Sequence, residues 1–302
     1  MKPLLLILTM LPAAAMAQLR WQPSSAAHNE GLPEGARVYQ TTDSVSGRPF
    51  RAFYLEIDPR AKDLRLSVEA IPGKRYTPVQ YDSILGPTAL AIMNTTFFSF
   101  KDNSNLNIVV KKGKVFAVNP QPAADASPKR YVTRGAFGIN RKGEPDIAWV
   151  YNVGKKKTPY AYNAPVTGAE PTRHSPAGAH RWKVREAVGG GPVLVQNGQP
   201  FITNEPEGMG KSIAALHPRS AVGYRADGTI LLMVIEGRNK GVAEGANFEE
   251  MAKIFTDLRC VEALNLDGGG SSALYVNDEN TIKPSDPAGQ RPVPAVLVLH
   301  KK

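Results

Sequence analysis

"LNLDGGGSSALYV", residues 264–276, places one carboxylate, three consecutive glycines and two serines between two apolar runs that each suit a β-strand. Glycine gives up more backbone freedom on ordering than any other residue. Three in a row after Asp267 therefore mark a spot where something comes too close to the main chain for a side chain. "VEALNL" before the turn and "SALYV" after it are short apolar runs bounded by turn residues, the pattern of buried strands. Asp267 thus stands at a strand end, where polar residues are handed to a pocket.

Outward from this stretch the chain alternates short strands with tight turns. "NFEEMAKIFTDLR" (247–259) predicts a helix, with Asn247 and Glu250 forming a capping box and Phe248, Met251, Ala252, Phe255 and Leu258 on one core-facing stripe. Hairpins are predicted at Lys112-Gly113, Asn197-Gly198 and Asp227-Gly228, pairs that tolerate positive φ. "DLRLSVEA" (63–70) alternates as a half-buried strand, "ALAIM" (89–93) reads as a central one, and "VPAVLVL" (293–299) as the last. Residues 119–185, rich in Pro, Gly, Lys and Arg, read as loops or a lid with a weak strand near Ile147 to Val153. The predicted fold class is α+β: a single large mixed domain over residues 37–302, rich in β-strands and hairpins with few helices, preceded by a loose leader at 18–36.

Residues 1–17 read as a signal peptide, with Lys2 at the start, an apolar Leu4–Leu11 core and Ala15 and Ala17 at the cleavage positions. The apolar run is far shorter than the roughly 20 residues a membrane-spanning helix needs, and no later segment qualifies. Export is the expectation, to a periplasm more than to the medium, since the chain shows no wall anchor and no disulfide. Its one cysteine, Cys260, is expected as a buried small hydrophobe. Lys and Arg outnumber Asp and Glu 37 to 27, which favours anionic partners. Nucleic acid is not expected, because no recognition motif or aromatic–basic interleaving is present. Lys155 to Lys157 read as a solvated loop. Nothing in the sequence fixes an oligomeric state.

Several familiar signatures miss. "EGMGKS" (207–212) ends like a phosphate-binding loop, but Glu205 stands where Gly is required. "GGSSA" has Ala273 where a nucleophile elbow needs its second Gly. His28, His174, His180, His217 and His300 form no zinc pattern.

What remains is a set of polar residues at strand ends: Asn94 and "NTTFF", "GGGP" at 189–192, "HPRS" at 217–220, "EGR" at 236–238, "NLDGGGSS" at 265–272, and Arg291 before the last strand. In this order they resemble the phosphodiester glycosidase family, from about residue 89 to 298, with 101–185 adding little. Thr95 and Thr96 stand where the family pattern has glycines, Glu236 where it has Asp, and Ser220 where it has Thr.

The resemblance implies hydrolysis of a sugar's bond to a phosphodiester. That reaction passes through an oxocarbenium-like state that a carboxylate stabilises, attacks or serves by activating water. Asp267 is the first candidate and Glu236 the second, with Asn94 and His217 as further catalytic candidates. The leaving phosphomonoester has a second pKa near about 6 and carries its own charge, so cationic clamping outweighs protonation. Arg219 and Arg238 are the expected clamp. Ser220, Gly190, Gly191, Gly268, Gly269, Gly270 and Ser271 are the further substrate-binding candidates, the glycine loop presenting bare N–H groups to an anion. No cofactor is required, although Asp267, Asn265, Glu236 and backbone oxygens could hold Ca²⁺ or Mg²⁺. The expected partner is an anionic glycan or sugar phosphate. The alternative is a polysaccharide-binding module that keeps the fold without turnover. Taken alone, Asp-Gly-Gly is also a common tight turn, and two arginines near two acids also make an ordinary surface network.

Overall fold

The structure, a computed structural model, describes residues 18–122, 126–211 and 213–302. The predicted signal peptide lies outside them. Among the described residues three antiparallel sheets enclose one core. The eight-stranded sheet runs, in spatial order, Gln22–Pro23, Ala36–Thr41, Ala52–Ile57, Ile230–Ile235, Arg219–Arg225, Cys260–Asn265, Val193–Gln196 and Gln199–Pro200. A seven-stranded sheet centres on Pro145–Val153, Arg134–Ile139 and Glu186–Gly189. The five-stranded sheet places Ala89–Asn94 between Leu274–Val276 and Ala295–Lys301, with Leu64–Ala70 on its edge.

Alternation along these strands sends one face of each sheet to a shared interior. Val38, Leu55 and Val222 meet Phe137, Trp149 and Val188 there, together with Met93, Val276 and Leu297. The outer faces are covered separately. Helix Phe248–Asp257, capped by Asn247 and Glu250 as expected, lays Met251, Ala252 and Phe255 on the eight-stranded sheet. Helix Pro78–Leu85 sets Tyr81 on Ile92, Val296 and Val298 of the five-stranded sheet. Trp182 packs over Val110, Ala136 and Val150 of the seven-stranded one. Cys260 is buried, and burial pushes its thiol up to about 12.

Two expectations are corrected and one is sharpened. The α+β label is sharpened to mainly β: the strands and hairpins dominate as expected, and the few helices Ala26–Asn29, Pro78–Leu85 and Phe248–Asp257 cover sheet faces without forming a layer of their own. Residues 119–185 are not a lid: Arg134–Ile139, Pro145–Val153 and Thr158–Tyr162 supply three strands of the seven-stranded sheet. Lys155 to Lys157 occupy an exposed turn between two of them. The leader is not loose, since Gln22–Pro23 pairs with Tyr39 and Gln40 while Leu19 and Trp21 pack against the core under helix Phe248–Asp257.

Candidate functional site

The site forms where the ends of the five- and eight-stranded sheets meet. Asn94, the buried last residue of Ala89–Asn94, is the tie. Its Nδ2 donates to the Asp267 carbonyl at 2.6 Å, and its Oδ1 accepts from Ser220 Oγ at 2.6 Å and the Ala273 amide at 3.0 Å. The Asp267 amide in turn donates to the Thr95 carbonyl at 2.8 Å. Fully buried, with three of its four hydrogen-bonding positions filled by the fold, Asn94 fixes the position of Asp267.

The Asp267 carboxyl is half-buried, beside the Ser271 hydroxyl, the Gly268 amide and the Arg291 guanidinium. Burial pushes its pKa up to about 6, against the pull of those three groups. A carboxyl poised there changes charge close to neutral pH.

Three arginines pack against the glycine loop that follows Asp267. Arg219 is buried, donates from Nε to the Ala246 carbonyl at 2.9 Å and from Nη2 to the Ala215 carbonyl at 2.7 Å, and stacks on Phe248 at 4.2 Å. Burial and the neighbouring Arg238 bring its pKa down to about 10, so it stays cationic at neutral pH. Arg238 is exposed, on a residue with φ of 59°. Arg291 pairs with Asp286 at 2.9 Å and approaches Ser271 Oγ at 3.5 Å, and the exposed Phe100 ring lies 5.4 Å from its guanidinium carbon. His217 is half-buried beside Arg219 and Arg238, and burial first, then those two charges, lowers its pKa. The surface-network reading fails here: Arg219 meets carbonyls and an aromatic ring rather than Glu236 or Asp267.

The three glycines admit guanidinium groups and a carbonyl. A Cβ on Gly269, whose φ is 62°, would stand 3.0 Å from Arg238 Nη2, and one on Gly270 would collide with the Arg291 guanidinium. One on Gly268 would lie 2.8 Å from the Pro218 carbonyl. The expected row of bare N–H groups is thus partly spent inside the protein, Gly268 on the Asp267 carboxyl and Gly269 on the Pro218 carbonyl at 2.8 Å. Arginine, not the main chain, presents the positive charge.

Glu236 lies on the flank of this cluster, buried, with Arg51 at 3.4 Å, Asn239 Nδ2 at 3.0 Å and the Lys283 amide at 3.4 Å. Beside it an open cleft of about 390 Å³ is lined by Arg238, Asn239, Ser285 and Asp286. Ser285 Oγ donates to the Gly269 carbonyl at 3.1 Å, which joins the cleft to the glycine loop.

Gly190 and Gly191 stand apart from the arginines, across strand Cys260–Asn265. A Cβ on Gly190 would strike the Asn265 carbonyl, while the Gly191 amide donates to that carbonyl at 2.8 Å and its own carbonyl accepts from Asn265 Nδ2 at 2.7 Å. They serve strand packing. Of the predicted cation ligands, Asn265 donates its Nδ2 to the Gly191 carbonyl, and Glu236 is held by Arg51 and Asn239. Among the described residues no group of three His, Cys, Asp or Glu side chains stands close enough to share one ion.

Thr95 and Thr96 do not project into the cleft. Thr95 Oγ1 donates to the Ala295 carbonyl at 2.9 Å and Thr96 Oγ1 to Asn105 Oδ1 at 2.6 Å, both buried. Sequence reasoning singled out Arg291 through the family pattern without giving it a role, and missed Asp286, Ser285 and Phe100, of which Phe100 carries no local mark.

A mouse N-acetylglucosamine-1-phosphodiester alpha-N-acetylglucosaminidase is 31% identical over 103 residues, which is 31% of this chain and 20% of that protein. A prophage-derived uncharacterized protein of Bacillus subtilis is 40% identical over 60 residues, 20% of this chain and 9% of its own length. The chain thus matches a fifth or less of the length of these curated relatives. In fold it is similar to a hypothetical protein from Synechocystis, with a TM-score of 0.66 at 16% identity over 90% of this chain and 63% of that one. It is likewise similar to the zebrafish catalytic domain of N-acetylglucosamine-1-phosphodiester alpha-N-acetylglucosaminidase, auto-inhibited by its pro-peptide. The TM-score there is 0.60 at 18% identity, over 95% and 89% of the two chains. The pattern that defines the phosphodiester glycosidases matches residues 87–300, and the chain belongs to that family.

Proposed function

We propose that the protein hydrolyses the glycosidic bond of a sugar-1-phosphodiester or a related anionic glycoconjugate, releasing free sugar and a phosphomonoester. The observation that carries this reading is the half-buried Asp267 carboxyl, raised to about 6 beside Arg291, at the head of a glycine loop packed against Arg219, Arg238 and Arg291. The leaving phosphate lies against Arg238 at the cleft mouth, where an exposed guanidinium can grip two oxygens at once. Buried Arg219 adds fixed charge, and Arg291 holds Ser271 and Asp267 in place. As the anomeric carbon parts from oxygen, ionised Asp267 faces the developing positive charge, and the arginines take up the negative charge leaving with the phosphate.

Export is part of the proposal. It rests on residues 1–17 and on the fact that no helix among the described residues is long and apolar enough to cross a membrane. Thr95 and Thr96, two of the departures from the family pattern, face inward and leave the cleft open to a substrate, which favours turnover over a binding module.

The test is release of reducing sugar from a defined sugar-1-phosphodiester such as a methyl phosphodiester of N-acetylglucosamine-1-phosphate, with Asp267→Asn as the paired variant. Release by the parent and its loss in the folded variant is the expected result. Binding of that diester without release by the parent would establish the module instead.

A further inference from the structure

At the end of strand Arg134–Ile139 remote from the arginine cluster, the turn Asn140–Lys142 forms a wall shared by two clefts. One, of about 480 Å³, carries Arg141, Lys142, Arg181 and Lys183 on its rim and runs beside Trp182, where residues 180–185 cross the outer face of the seven-stranded sheet. The other, of about 230 Å³, adds Arg65, Arg185 and Lys302. All seven cations are exposed. Among the described residues none of the four on the larger cleft forms an ion pair, and of the seven only Arg185 has a carboxylate near, Glu186 at 3.7 Å. The acids of the smaller cleft are engaged: Asp58 pairs with Arg60 at 2.8 Å, and buried Glu186 accepts from the amides of Val68 and Lys112, each at 3.2 Å.

We infer that these two clefts form one continuous groove that binds a polyanionic glycan, separately from the Asp267 cluster. Unpaired like charges in a concave track repel one another and focus potential, a cost that a ligand with repeated negative groups relieves. A single small anion would need convergent donors, whereas these seven are spread along the wall on both sides of Asn140. Nucleic acid strands stack on exposed rings, but Trp182, the aromatic residue of the groove, is only 5% exposed and its Nε1 is engaged by Asp146. A bilayer meets protrusions rather than the floor of a cleft. The strand from Gly135, beside Gly190 and Glu207, to Asn140 spans roughly 15 Å. The choice of a glycan rests on the proposed function; the polyanion site does not.

Dextran sulfate, titrated at low salt against the full chain, tests the groove. The paired variants Arg141→Glu/Lys142→Glu and Arg181→Glu/Lys183→Glu are each expected to lose about tenfold or more in affinity. A charge-matched control, Arg37→Glu/Arg259→Glu, exposed and outside both clefts, is expected to stay within about threefold. Turnover of the small methyl phosphodiester should be unchanged in all three. Equal losses in groove and control variants would show bulk charge alone and overturn the site, as would undiminished binding by the groove variants. Tighter capture of a single-stranded oligonucleotide than of dextran sulfate through the same residues would overturn the glycan. A parent that binds dextran sulfate through the groove but releases no sugar leaves this inference standing while the hydrolase reading falls.

Discussion

Two carboxyl groups lie on either side of strand Cys260–Asn265, and burial raises the pKa of both, yet their surroundings differ in kind. Glu207 is enclosed and accepts from the Gly135 amide at 2.7 Å, the Val193 amide at 2.9 Å, Trp149 Nε1 at 3.1 Å and the Thr203 hydroxyl. Asp267 is half-buried, is held by Ser271 and Gly268, and lies beside the Arg291 guanidinium, next to a glycine loop that Ser285 joins to an open cleft. Burial alone does not mark a reactive acid. A carboxylate whose lone pairs are filled by the fold is a structural post, and one that keeps capacity next to charges and solvent is available for chemistry.

That contrast can be broken by exchanging the consequences of mutation. Asp267→Asn should lower kcat by about a thousandfold or more, read as sugar released per minute, with an unchanged circular dichroism spectrum. Glu207→Ala should do the opposite. Leaving four buried donors unpaired costs roughly 4 kcal/mol or more, seen as a fall in Tm of about 10 °C, with the folded remainder still active. A stable but inactive Glu207→Ala would invert the assignment.

Arg238→Ala should cost about a hundredfold in kcat/KM, since it removes one donor to the leaving phosphate. The effect should be largest for substrates whose phosphate is a poor leaving group. The pH profile sharpens the picture further. With Asp267 acting ionised, kcat/KM should rise with pH through about 6 and flatten above it, and this acid limb should disappear from the residual rate of Asp267→Asn.

The smallest expected effect is on stability. The folded-state pKa of Asp267 lies above the ordinary carboxylate value near ~4, so the fold favours the protonated form and loses stability as pH rises from there through about 6. Asp267→Asn should therefore be more stable than the parent at pH 8 by about 1–2 kcal/mol, and the gap should close as pH is lowered toward 4. Denaturant midpoints at the two pH values measure it.

The sequence was most legible where geometry leaves little choice. The run from Asn265 to Ser272 announced a crowded strand end because consecutive glycines are otherwise costly, and the Asn247/Glu250 cap marked its helix. Hairpins with Asn-Gly or Lys-Gly corners formed as expected, with Asn197 and Lys112 at φ of 52°. The seven-stranded sheet was hidden because Pro145–Val153 is buried along most of its length on both faces, while its turns collect Lys, Gly and Pro that dominate a composition count. Helix Pro78–Leu85 has a weak stripe, and only its Thr77–Gln80 box could have revealed it. The arginine contacts with Gly269 and Gly270 join residues far apart in sequence, so local pattern could say that something approached these glycines but not what.

Strand Ala295–Lys301 is bonded on one side to Leu64–Ala70 and on the other to Ala89–Asn94, and Thr95 reaches Ala295 across 200 residues of chain. Neither early strand gains this partner until residues 295–301 have been made. Closing such long loops also makes assembly slow. The five-stranded sheet therefore stays open while residues 95–294, which separate Ala89–Asn94 from Ala295–Lys301, are made. A product interrupted before residue 295 leaves Val68, Ile92 and Met93 uncovered, and proteases should remove it rather than let it persist half-folded.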